Sequence, residues 1–176
     1  VSRRVALYGA IMASSAVVAL GACSAQTTTA SGDATEAASD AASETDWRDI
    51  PLAAGTWVYR EDDRGSLALY GEPNSEALFL VRCNRADRRI FFSFEGNLDT
   101  ASGTMAFQAT HGDASYAAQN SSGAQPYIVA VTNASDEYLD TIAFSRGRIA
   151  ITVTGQTIAA IPTWPQMTRV FEDCRA

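Results

Sequence analysis

Residues 77–94 read ALFLVRCNRADRRIFFSF. Two apolar runs, 77–83 and 88–94, flank the polar segment 84–87, which is the pattern of paired strands joined by a short connection. Alternation places Phe79, Val81 and Cys83 on one face, so the first strand presents a cysteine to whatever covers that face. In the second run, whichever of Phe91 and Phe92 points outward either covers a second sheet or forms a partner surface.

Strand signals continue on both sides of this pair. Upstream, residues 56–59 put Trp57 and Tyr59 on one face, residues 66–70 put Leu67 and Leu69 together, and the charged segment 61–65 between them reads as a hairpin turn. Downstream, residues 104–110 and 127–131 read as a further pair, and the interval from His111 onward, rich in Gly, Ser and Asn, reads as a long loop. The period then changes. Asn133, Ala134 and Ser135 precede Asp136 and Glu137, a capping and acidic start for a short helix carrying Leu139, Ile142 and Ala143 on one side and stopping near 145–147. Residues 148–154 turn at Gly155 and Gln156 into 157–160, another hairpin.

The last element is the most sharply specified. Thr163 and Gln166 have capping-box spacing, Pro165 sits in the first turn, and Met167, Val170, Phe171 and Cys174 follow at i, i+3, i+4 and i+7. A buried helical stripe thus ends in a cysteine, as the 77–83 strand does. Their phases point both thiols into one core, and we expect a Cys83–Cys174 disulfide that pins the helix to the sheet. A redox or metal-binding pair would ask for closer spacing, such as Cys-x-x-Cys.

The N-terminus reads differently from the rest. Arg3 and Arg4 precede an apolar stretch over 5–20, the n-region and h-region of a signal peptide; as a membrane span the stretch is short for ~30 Å of hydrocarbon. Leu20, Gly21, Ala22 and Cys23 then resemble the bacterial lipobox. The resemblance implies lipidation of Cys23, removal of residues 1–22 and a stable membrane anchor of two or more acyl chains. Ser24 after the cysteine favours the outer membrane, since inner-membrane retention goes with aspartate there. Residues 2–7 also partly resemble a twin-arginine signal, with Ala6 where phenylalanine is usual, so ordinary Sec export is the plainer route. Residues 24–46 hold little but Ala, Ser, Thr and five acids, and we expect them to form with Cys23 a disordered tether of mean reach about 25 to 30 Å.

Charge divides along the same lines. The chain of 176 residues carries −7, made of +2 over 1–22, −5 over 24–46 and −4 over 47–176. The 130 positions of 47–176 suffice for one hydrophobic core and are too few for two domains. This balance argues against a nucleic-acid partner. All thirteen basic residues are arginines, and Arg82, Arg85, Arg88 and Arg89 cluster around the first hairpin. That cluster reads either as a solvated turn in a chain where arginine takes every basic role, or as a ligand site gripping a carboxylate or phosphate. The Phe144 to Arg148 turn has the same two readings.

Motifs for chemistry are few. His111 is the single histidine, the turn glycines form no phosphate loop, and no metal or cofactor is implied. The carboxylate pairs Asp62 and Asp63, Asp136 and Glu137, and Glu172 and Asp173 are adjacent in sequence, and general acid and base work would need two carboxyls converging in a pocket.

The lipobox, the tether, the Trp57 strand, Cys83 at a strand end, the 136–148 segment and the closing Phe171, Glu172, Asp173 and Cys174 together resemble uncharacterised envelope lipoproteins of alphaproteobacteria. More distantly, the cysteine layout looks like the type VI secretion-associated VasI and invasion-associated IalB proteins. These resemblances imply no catalytic residues. The expectation is a mainly antiparallel β domain over 47–176, sandwich or partly open barrel, with a short helix and a disulfide-anchored C-terminal helix. Its expected role is non-enzymatic: a lipid-anchored binding module on the periplasmic face of the outer membrane, with an envelope protein partner. Two alternatives stand beside it. One is an inhibitor of a lysozyme-type hydrolase acting through a protruding loop over 111–125; the other is an envelope carbohydrate hydrolase.

Overall fold

The computed structural model describes residues 46–176. The expected signal segment, Cys23 and the expected tether up to 45 lie outside the described residues. Among the described residues nine strands form one antiparallel sheet: β1 (Thr56–Asp62), β2 (Gly65–Gly71), β3 (Phe79–Asn84), β4 (Arg89–Glu95), β5 (Gly103–Ala109), β6 (Gly112–Asn120), β7 (Tyr127–Asn133), β8 (Ile149–Val153) and β9 (Ala159–Ile161). Two helices accompany them, α1 (Tyr138–Ala143) and α2 (Pro165–Arg175). The spatial order is β1-β2-β3-β4-β7-β6-β5-β8-β9.

Ring distances reveal how far this sheet curls. Phe92 on β4 and Phe107 on β5 have centroids 4.8 Å apart, although β7 and β6 lie between their strands. Three strand spacings of about 4.8 Å would hold them near 14 Å apart in a flat sheet. The sheet is therefore a half-barrel whose concave face closes on itself, and Phe92 is the hub, touching Phe79, Phe107, Tyr116 and Phe171. Of the two architectures expected from sequence, the partly open barrel is the one present.

The helix α2 fills the concave side against β1, β2, β3 and β4, burying Met167, Val170, Phe171 and Cys174. Cys83 and Cys174 form the expected disulfide, with Cα atoms 5.4 Å apart. At the other end, the edge strand β1 is tied to the far edge: Trp57 Nε1 donates to the Pro162 carbonyl at 2.8 Å, just past β9. The segment before β1 helps, since Ala53 N–H donates to the Ala160 carbonyl and Leu52 bridges Ala160 in parallel. The β1–β2 hairpin depends on Gly65, at φ 143°, where a Cβ would lie 2.5 Å from the Cys83 carbonyl oxygen.

Two sequence expectations are corrected. The interval from His111 is not a long loop; residues 112–120 form β6, which lies between β5 and β7, so these two do not pair. Its alternation uses small residues, with only Tyr116 large, so the period is present but the apolar signal is faint. Its pairing to strands on both sides supplies what hydrophobicity does not. The capping box also fails to form. The N-cap of α2 is Trp164, the Thr163 hydroxyl donates instead to the Ser145 carbonyl at 2.9 Å, and Gln166 Oε1 is buried without a partner. A tertiary hydrogen bond to the α1 exit loop wins over the local one.

Candidate functional site

The concave face is complete, so a site has to be sought on the convex side. There, strand registers assemble two rows. Val58, Leu69, Leu80, Ser93 and Val129 line up across β1, β2, β3, β4 and β7, and Arg60, Leu67, Arg82, Phe91 and Val131 form the next row. An antiparallel sheet facing water on one side normally carries polar residues outward. Here most outward positions are apolar; Leu67, Leu69, Leu80, Phe91, Val129 and Val131 are half-buried and Val58 is 44% exposed.

Two depressions share Leu80 in their linings. One, of about 430 Å³, lies between Val58, Leu69 and Tyr127 and the 72–77 segment, with Glu72 and Glu76 on its wall. The other, of about 240 Å³, is walled by Leu67, Leu80, Phe91 and Val129 and edged by Arg64, Arg82, Asn84 and Ser93. Gln125 Nε2 donates to Glu76 at 3.1 Å and ties the 121–126 connection to this rim.

The four arginines singled out by sequence do not act as one cluster. Arg82 is on the convex face, where its Nη1 donates to both Asp62 oxygens at 3.0 and 2.8 Å and holds that carboxyl below the usual carboxylate range. Arg89, one row away, sits with its guanidinium 5.9 Å from the Phe91 ring centroid. Arg85 is exposed in the turn, its N–H donating to the Arg64 carbonyl. Arg88, in the left-handed region at φ 52°, turns the other way and donates to the Arg175 carbonyl at the end of α2. The second basic turn is structural: Arg148 Nη1 donates to the Arg48 and Ile50 carbonyls, and the buried Ser145 hydroxyl bonds Arg148 and Thr110. His111 is exposed in the two-residue turn between β5 and β6.

Two carboxylate environments take their form from the fold, the first because its members are far apart in the chain. Glu61 and Asp173 both approach the Tyr59 hydroxyl at 2.6 Å, under the Arg169 guanidinium, which lies 4.1 Å from the Tyr59 ring centroid. Burial and these two acids raise the Tyr59 pKa far above its ordinary value. Asp136 receives hydrogen bonds from Thr132 at 2.6 Å, Tyr116 at 2.8 Å and the Tyr138 N–H at 2.9 Å. Burial opposes its charge, but these donors outweigh it and hold the carboxyl below the usual range. Neither grouping lines the convex depressions.

The convex groove itself had a trace in the sequence. Runs such as 77–83 and 127–131 are apolar in both phases, which in an antiparallel sheet means that both faces are apolar. What was missing is the register that brings Leu80, Phe91 and Val129 side by side. A curled antiparallel half-barrel around a disulfide-held helix, with an apolar outer groove, is the class the geometry defines. No family model matches this chain, and the comparisons with curated proteins and with solved structures found no match.

Proposed function

We propose that this chain is a lipid-anchored binding module of the bacterial envelope, held by Cys23 at the periplasmic face of the outer membrane and engaging its partner through the convex face of β1–β4 and β7. The observation that carries the reading is the outer groove. The concave core is already filled by α2, yet the opposite face keeps a continuous set of half-buried Leu, Val and Phe side chains at its centre. The lipobox at 20–23 and the disulfide support an exported, oxidising location. Exposed arginines at the groove's edge give it a charged rim around an apolar floor, which is the anatomy of a recognition surface.

The test has two parts. Radiolabelled palmitate should enter the wild-type chain in cells and be lost in Cys23→Ala, whose product should leave the membrane fraction. A photo-crosslinking residue placed at position 58 or 80 should capture an envelope component that the same probe at exposed Glu137 does not. Equal labelling at both places, or none at either, counts against the convex face as the binding surface.

A further inference from the structure

The two ends of the convex surface differ in charge. One carries Glu72 and Glu76, offset in part by Arg60, and the other carries Arg64, Arg82 and Asn84. Between them the floor is Leu69, Leu80, Leu67, Phe91 and Val129. Alternate residues on a strand are about 6.6 Å apart, so the three rows from Leu80 through Arg82 to Asn84 span about 13 Å. The trough at the basic end, about 240 Å³, is smaller than the roughly 300 to 1,000 Å³ of pockets for compact drug-sized ligands. Half of its lining is apolar, Leu67, Leu80, Phe91 and Val129, beside the polar Arg64, Arg82, Asn84 and Ser93, which suits one alkyl chain ending in a polar head.

The charges decide which way such a chain lies. Arg82 spends Nη1 on Asp62, which leaves its other N–H groups for a ligand, and Arg64 is 71% exposed at 3.7 Å from the same carboxylate. Asp62 and Asp63 temper this end, while Arg85 and Arg89 follow in the adjoining turn and row without an ion pair among the described residues. At the opposite end Glu72 and Glu76 outnumber Arg60 and leave it less favourable for an anion.

We propose that this groove binds a free single-chain anionic amphiphile, with its alkyl chain along Leu80, Leu67, Phe91 and Val129 and its acidic head between Arg64, Arg82 and Asn84. The assignment rests on the binding-module reading for its choice of face and is independent of the lipid anchor. Glu72 and Glu76 disfavour the reverse orientation, and a neutral head forfeits the charge-assisted hydrogen bonds that the guanidiniums offer.

Calorimetric titration of the full exported chain with dodecanoate below its micellar concentration tests the proposal, with dodecyl maltoside and dodecylamine as matched chains bearing other heads. We expect one-to-one binding of dodecanoate about tenfold or more tighter than either, with Leu80→Asp weakening it by a similar factor. Arg64→Glu, on an exposed turn, should weaken dodecanoate and leave dodecyl maltoside unchanged; it carries the test if Leu80→Asp lowers the melting temperature. Equal affinity for the three heads, unchanged affinity in Arg64→Glu, or binding only to anionic vesicles overturns the proposal. So does the absence of dodecanoate binding; if the position 80 probe still captures an envelope protein, the binding-module reading survives, and if it captures nothing, both fail.

Discussion

Phe91 and Phe92 are neighbours in the chain and face opposite sides of one strand, and their surroundings have little in common. Phe92 is wholly buried among four aromatic rings from β3, β5, β6 and α2. Phe91 is half-buried on the outer face, with the Arg89 guanidinium nearby and a shallow trough beside it. The inner face is apolar because it builds the core; the outer face of β1–β4 and β7 keeps seven apolar residues among the ten positions of its two rows and has no core to build. Surplus hydrophobicity on a water-facing sheet is hard to explain by folding, since leaving it exposed contributes nothing to stability, and this is why the outer face is where recognition is sought.

The sharpest way to break the comparison is to release the helix that closes the inner face. Cys83→Ser and Cys174→Ser should be destabilised equally, by up to about 4 to 5 kcal/mol for a loop of this length, as read from denaturant unfolding. Strongly unequal losses, or two titratable thiols in natively exported protein, would show that the bridge does not hold α2 in this way. Next comes the phenylalanine pair itself. Phe92→Ala should cost about 3 to 5 kcal/mol because the ring leaves a cavity, whereas Phe91→Ala should cost roughly 1 kcal/mol or less. Equal costs would erase the distinction between the faces.

A smaller effect concerns the carboxylate beneath the inner face. The folded-state pKa of Asp136 is depressed, so its contribution is fully present above the unfolded carboxylate value of about 3.9 and is lost as pH falls through the folded one. Asp136→Asn should therefore lower stability by about 1 to 2 kcal/mol near neutrality, a figure reduced by partial solvent screening, and the gap to wild type should shrink in acid. A gap that persists undiminished at pH 2 would assign the effect to packing. The smallest change is Ser66→Ala. The Ser66 hydroxyl is wholly buried with no hydrogen-bond partner, so its removal should be neutral or stabilise by up to about 1 kcal/mol in thermal unfolding. A clear loss would reveal a bond made by that hydroxyl.

Much of this fold was legible residue by residue. The hairpins β1–β2, β3–β4 and β8–β9, the short helix and the α2 stripe all follow from local period and turn chemistry. The partnership of Cys83 with Cys174 followed from phase, because each cysteine closed a run of core-facing residues. The strand β6 was missed because its inward residues are mostly alanine and glycine, too small to register as a core-facing run. The groove was legible only as apolar runs in both phases. Arg82 was named from sequence, but Leu80, Val129 and Arg64 take their place from register and from the hydrogen bond that links the β1–β2 turn to the β3–β4 turn.

By itself the sequence determined most of the segments that become strands or helices, the buried stripe of α2, and that two cysteines would meet. These are properties of alternation and helical spacing, set within a few residues. Only the tertiary structure decided that β6 lies between β5 and β7, that the sheet curls until Phe92 meets Phe107, and that the convex rows build two depressions that share Leu80, one with Glu72 and Glu76 and the other with Arg64 and Arg82 in its lining. Strand order, curl and register arise from contacts between residues distant in the chain, and no local pattern encodes them.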